Sequence, residues 1–147
     1  MPQIEKDYID TGKLKYVFMD LPLAMHKLAF KAAEAAKCAG DQGKFWPMHD
    51  RLFLNQNALG AAELLKNGED LGLDMAKFNG CLESDKFADE IKQDMAEAQK
   101  AGITGTPTVL LGFSEPGGKV RAVKRISGAQ PYTAFKNAID SAVAQQK

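Results

Sequence analysis

The sequence predicts a mixed α/β chain in which strand-forming segments near both ends enclose a long helical block and a helix closes the chain. Three observations carry this. Leu14-Lys15-Tyr16-Val17-Phe18-Met19 is rich in β-branched and aromatic residues and stops at Asp20-Leu21-Pro22. From Ala24 to Gly102 the apolar residues recur at helical spacing. At Thr108 the pattern reverts to short strand-like runs around Ser114-Glu115-Pro116-Gly117-Gly118, a hairpin loop.

The elements follow in order. Ile4, Tyr8 and Ile9 lie at helical spacing and Thr11-Gly12 ends that segment, so it reads as the tail of a helix with glycine as its C-terminal cap. Leu14 to Met19 reads as a strand. Met25, Leu28, Ala29, Ala32, Ala33 and Ala36 mark the face of a buried helix whose alanines admit a close neighbour. Gly40-Asp41-Gln42-Gly43 breaks it, and a helix follows through Trp46, His49, Leu52 and Phe53, with Pro47 in its first turn and its aromatic stripe expected in the core. Short helices are predicted at Ala61 to Lys66 and Asp74 to Leu82. Ser84 is the expected N-cap of a longer helix marked by Phe87, Ile91, Met95 and Ala98 and ended by Gly102. Strands from Thr108 to Leu111 and from Val120 to Ile126 form the hairpin. Pro131 then opens a last helix with Phe135, Ala138, Ile139 and Val143 on its buried face.

Composition excludes several classes. With 147 residues, 45% of them hydrophobic, the chain is long enough to bury a core. No apolar run approaches the roughly 20 residues of a membrane-spanning helix, and no leader-like segment opens the sequence, so a soluble chain is expected. Nineteen basic against nineteen acidic side chains leave no global field for nucleic acid or anionic lipid. The local basic group Lys119, Arg121, Lys124 and Arg125 reads as the polar positions of an edge strand.

No metal or cofactor site is expected. Cys38 and Cys81 are too far apart for a Cys-x-x-Cys pair and too few for structural zinc. A disulfide between them suits an oxidising compartment and two free thiols suit the cytosol; the residues leave both open. His26 and His49 stand isolated, with Asp50 expected to point elsewhere on the helix. A Cys-His nucleophile pair, Cys38 with His49 or Cys81 with His26, could be assembled only by the fold. Gly102, Gly105, Gly117 and Gly118 match no phosphate-loop fingerprint and read as turn residues.

The order strand, helical block, Gly102-Ile103-Thr104-Gly105-Thr106-Pro107-Thr108, hairpin and helix resembles the DsbA-like branch of the thioredoxin superfamily. Phe18-Met19-Asp20-Leu21-Pro22-Leu23, Gln42-Gly43-Lys44-Phe45-Trp46 and Ile126-Ser127-Gly128-Ala129 extend the likeness over nearly the whole chain. The resemblance implies a thioredoxin-like fold with a helical insertion over about residues 24–102, and 1–147 as a single, incomplete domain. It implies thiol:disulfide exchange on polypeptide substrates in an extracytoplasmic setting, periplasmic or secreted. It also implies a cis Thr106–Pro107 bond beside the redox centre, where backbone groups face a bound polypeptide; the alternative is an ordinary trans proline opening a strand. Some members carry a second, structural disulfide, the role this likeness offers Cys38 and Cys81 beside the alternative of two buried thiols.

The sequence departs from that pattern at its chemical centre. The family's Cys-x-x-Cys opens the helix whose tail matches residues 1 to 12, and it has no counterpart here, so no catalytic residue is assigned and redox inactivity is expected. The likeness also places a missing strand between the Leu14 and Thr108 strands, which predicts a rearranged sheet or a homo-oligomer through unpaired edges. Met1 is either a start inside a longer reading frame or the start of a short protein that has abandoned redox chemistry. A non-redox binding module, or a relative of glutathione-using isomerases and transferases, is the alternative function.

Overall fold

The computed structural model describes residues 2–145. The order is α1 (Pro2–Ile4, continued by a π-helical turn, Glu5–Ile9), α2 (Ala29–Gly40), α3 (Phe45–Leu54), α4 (Ala61–Asp70), α5 (Met75–Glu83), α6 (Ala88–Lys100), β1 (Thr108–Ser114), β2 (Val120–Ser127) and α7 (Tyr132–Ala144), with one 3₁₀ turn at Pro116–Gly118. Two compact units share these elements: residues 1–18 with 103–147, and residues 19–102.

The second unit is all helical, and α2 is its hub, touching α3, α4, α5 and α6. The alanine-rich sequence explains this: Ala32, Ala35, Ala36 and Ala39 are small enough for neighbouring helices to approach, and all four are buried beside Met48, Leu52, Leu64, Phe78 and Leu82. Phe78 and Met48 are fully enclosed, and burying side chains of this size contributes about 1.5–3 kcal/mol each. Asp74 caps α5, its carboxylate accepting from Lys77 N at 3.1 Å.

Three sequence expectations change here. The α2 helix begins at Ala29, leaving Met25 and Leu28 exposed in the turns before it. In α3 the core face is Met48 and Leu52, whereas Trp46 is 45% and Phe53 55% exposed. Ser84 is not the N-cap of the long helix; it closes α5, donating to Cys81 O at 3.1 Å, and Phe87 precedes α6 without a side-chain cap.

The first unit packs the β1–β2 hairpin with α1 and α7. Its core is Ile4, Tyr8, Leu111, Ile139 and Ala142, with Leu14, Phe135 and Val143 packed against it. Tyr8 Oη donates to Asp140 Oδ1 at 2.7 Å and Tyr132 Oη donates to Asp7 Oδ2, so two hydrogen bonds tie α1 to α7. The strands pair antiparallel from Thr108↔Ser127 to Ser114↔Val120, with Val123 unopposed between Leu111↔Lys124 and Gly112↔Ala122, a β-bulge.

Leu14 to Met19, expected as a strand, belongs to no sheet. Its burial alternates, with Leu14, Tyr16 and Phe18 half-buried and Lys15, Val17 and Met19 exposed, so the period-2 signal is present without a ladder. The sheet of the described residues is the two-stranded hairpin alone.

Candidate polypeptide-binding loop and disulfide

The loop before β1 is shaped by what holds its carbonyls. Thr108 Oγ1 donates to Gly105 O at 2.8 Å and Gly128 N donates to Pro107 O at 2.8 Å, fixing the chain on both sides of Thr106. The Thr106–Pro107 peptide is cis, and both residues are exposed. A chain pinned by its neighbours' hydrogen bonds and open to solvent presents backbone groups to a ligand without first losing conformational freedom.

Cys38 on α2 and Cys81 on α5 form a disulfide with Cα atoms 5.9 Å apart. Both helices contribute apolar faces to the same core, which brings together cysteines separated by 43 residues. Cys38 is buried and Cys81 half-buried, and an open groove of ≈ 560 Å³ lined by Lys77 and Lys86 runs past the bond. Lys86 is paired with Asp41 across this groove. With both sulfurs bonded, neither is a nucleophile, and the Cys-His pairs considered above do not operate in this state.

His26 is exposed in the turns before α2, whereas His49 is partnered. His49 Nδ1 lies 2.9 Å from Asp50 Oδ1, contrary to the expectation that Asp50 points away, and its ring stacks among Trp46 and Phe53 with centroids 5.3 and 4.6 Å distant. Successive helical residues diverge by about a third of a turn, yet an aspartate can bend back to a neighbouring ring. Among the described residues, no group of three or more His, Cys, Asp or Glu side chains is placed to hold a metal ion.

One polar site was absent from the sequence reading. In the helical unit, Lys37 Nζ lies 2.7 Å from Glu90 Oε1, 3.2 Å from Asp20 Oδ2 and 3.8 Å from Asp94 Oδ2, while Asp20 N donates to Asp94 Oδ2 at 3.0 Å. Asp20 is 7% and Lys37 12% exposed. Burial pushes the Asp20 carboxyl above its ordinary value; Lys37 opposes this, and Asp94 and Glu90 reinforce it. Asp20 Oδ2 is buried, and the Lys37 ammonium is the cation that faces it. For Lys37, burial acts downwards but is outweighed by Glu90 and Asp20, and its pKa rises. No residue pattern announces the site, since 74 positions separate Asp20 from Asp94.

No helix among the described residues is long and apolar enough to cross a membrane. Comparison with known proteins places the chain. A family model described as "Thioredoxin" matches residues 1–141. The "Na(+)/H(+) antiporter NhaA 3" of Salinispora tropica is 40% identical over 108 residues, which is 73% of this chain and 17% of the antiporter. The "Probable disulfide bond formation protein D" of Bacillus anthracis is 29% identical over 117 residues, 74% of this chain and 54% of that protein. The chain thus spans about a sixth of the first relative and about half of the second. Among solved structures, alpha-DsbA1 of Wolbachia pipientis matches with a TM-score of 0.80 at 26% identity, covering 98% of this chain and 75% of the other. The mixed helix and strand architecture is thioredoxin-like, and the chain belongs to the DsbA-like branch of the thioredoxin family.

Proposed function

We propose that this chain is the polypeptide-binding part of a DsbA-like thiol:disulfide oxidoreductase domain, with Thr106 and Pro107 as its substrate platform, and that it does not itself catalyse exchange. The observation that carries the reading is the exposed Thr106-Pro107 loop, pinned at Gly105 O and Pro107 O, in a chain whose cysteines are Cys38 and Cys81. Exchange needs an accessible thiolate in an environment that lowers its pKa, and here both sulfurs are committed to one another. That bond also favours an extracytoplasmic setting, periplasmic or secreted, because cytosolic thiols are kept reduced. Residues 1–147 are read as one domain of this kind, and its partners as polypeptide thiols and disulfides.

The open edge of β1 belongs to the same proposal. Thr108-Val109-Leu110-Leu111-Gly112-Phe113-Ser114 carries no charge to discourage a further strand, so self-association through this edge is expected to appear as a concentration-dependent mass in sedimentation.

Insulin reduction by dithiothreitol tests the reading. The chain and its Cys38→Ser/Cys81→Ser variant should leave the rate of precipitation unchanged. Acceleration by the chain and not by the variant would falsify the structural assignment of the disulfide.

A further inference from the structure

The groove beside the Cys38–Cys81 bond is bordered by both cysteines and by Gln42, Gly80 and Ser84. Its openness follows from small or tethered side chains. Gly80 is exposed, and a Cβ there would meet nothing within 4 Å. Gln42 is held to the backbone of Asp74, its Oε1 accepting from Asp74 N at 2.8 Å and its Nε2 donating to Asp74 O at 3.2 Å. Ser84 Oγ is engaged with Cys81 O at 3.1 Å.

The two sulfurs on this groove are not equivalent. Cys38 is 1% exposed and belongs to the buried core with Ala35, Ala39 and Met48, whereas Cys81 is half-buried and packs against that core. A thiolate opens a disulfide by attacking one sulfur along the S–S axis and expelling the other, so the attacked sulfur must be reachable from the side away from its partner. A bond that runs from an enclosed sulfur to a half-buried one meets this demand at Cys81. The leaving sulfur argues weakly the other way. Both cysteines lie in the last turns of their helices, whose carbonyl ends disfavour a negative charge, and Lys77 and Lys86 would ease one on Cys81. Each of those lysines is already paired, with Asp74 and Asp41 respectively. A better leaving group changes a rate by degrees, whereas an enclosed sulfur does not react until its helices part, so access decides.

We propose that Cys81 is a site of reversible thiolation by low-molecular-weight thiols. The thiolate of the small molecule forms a new S–S bond with the Cys81 sulfur, the Cys38–Cys81 bond breaks, and its electron pair leaves on Cys38. The incoming thiol is oxidised to the mixed disulfide as Cys38 is reduced, so no further oxidant enters. The Cys38 sulfur then takes a proton from water, or attacks the Cys81 sulfur, re-forms the original bond and releases the small thiol. A groove of ≈ 560 Å³ suits a small molecule as the thiol's carrier. Cys81 is the sulfur attacked in this step and not the attacker, so the step stands apart from the Thr106-Pro107 reading.

The test treats the intact chain with glutathione in mildly alkaline buffer, quenches early time points in acid and locates the adduct by peptide mass spectrometry. The adduct should sit on the Cys81 peptide, with Cys38 recovered as a free thiol, roughly tenfold or more in excess of the reverse arrangement. Its rate of formation should not change with urea below the unfolding transition, because the folded chain is the reactant. Single-cysteine variants give a second reading with glutathione disulfide as the probe. Cys81 in Cys38→Ser should be thiolated under native conditions, whereas Cys38 in Cys81→Ser should react only as the chain unfolds. An adduct on Cys38, equal adducts on both cysteines, an adduct that forms only in step with the unfolded fraction, or equal native reactivity of the two single variants would each overturn the proposal.

Discussion

The ammonium of Lys37 stands 3.2 Å from Asp20 Oδ2 inside the helical unit, and Glu90 and Asp94 claim the same ammonium. Burial raises the Asp20 pKa, Lys37 opposes the rise, and Asp94 and Glu90, which share that ammonium, add to it. A carboxyl whose folded pKa exceeds its unfolded value stabilises the fold when protonated. Its contribution is complete below the unfolded value and is lost as pH rises through the folded one. Asp20→Asn should therefore gain stability relative to the parent chain as pH rises through that window, and hold the gain at neutral pH. Urea unfolding across the acid range measures it; a gain that shrinks with rising pH would mean that attraction to Lys37 outweighs desolvation.

Removing the cation should do the opposite. Lys37→Met leaves Asp20 and Asp94 without their charge partner in the interior, and breaking a buried pair from one side costs about 3 kcal/mol or more. The loss should show as a lower urea midpoint at neutral pH and should ease in acid, where the carboxylates protonate. A neutral-pH stability equal to the parent's would show that water reaches the cluster.

Opening the Cys38–Cys81 bond should destabilise the helical unit. Closing a loop of 43 residues contributes roughly 4 kcal/mol in the chain-entropy account. Denaturant unfolding with and without reductant, set beside the Cys38→Ser/Cys81→Ser variant, measures it, and an unchanged midpoint would show that the core packing of α2 on α5 suffices without the bond.

What could be read beforehand divides along the range of the interactions. The helices of residues 19–102 were legible because Ala29, Ala32, Ala33 and Ala36, like Phe78, Cys81 and Leu82, repeat at the helical period; that Ala35 and Ala39 are buried as well follows only from the helices packed around them. The exposure of Trp46 and Phe53 was not, because Met48 and Leu52 form a competing stripe on the same helix and only the packed neighbours decide which turns inwards. Leu14 to Met19 shows the alternation of a strand, but a ladder needs a second strand and nothing within the segment reports whether one is there. The Thr106-Pro107 loop could be found through its surrounding Gly-Ile-Thr-Gly-Thr-Pro-Thr, a local signal. The disulfide and the Lys37 cluster join distant segments, and no local period encodes such a meeting.

Tyr132 provides an alkaline probe of the first unit. Its hydroxyl donates to Asp7, and this hydrogen bond, with burial and the Asp7 charge, pushes its pKa up to about 12. The neutral phenol is the form the fold favours, so its contribution is complete below the ordinary tyrosine value and is lost as pH rises from there through the raised value. In a spectrophotometric titration Asp7→Asn should bring one phenol back towards its ordinary range, because the carboxylate that holds the proton is gone. An unchanged titration curve would show that the α1–α7 contact at Tyr132 does not persist in solution.

Gly112 is the hairpin's most sensitive position for a small substitution. It faces Ala122 where Val123 bulges, at the point where the register shifts. A Cβ added at Gly112 would lie 2.6 Å from Arg121 O, 2.8 Å from Val120 Cγ1 and 3.0 Å from Ala122 Cα. The first and last of these are backbone atoms that cannot rotate away, so the strands must separate or the bulge must move. Overpacking of this kind costs about 1–3 kcal/mol. Gly112→Ala should therefore lower the unfolding midpoint and speed amide exchange along β1 and β2, whereas Gly80→Ala, where a Cβ meets nothing within 4 Å, should not destabilise the chain. Equal effects of the two substitutions would mean that the hairpin absorbs the methyl by sliding its register.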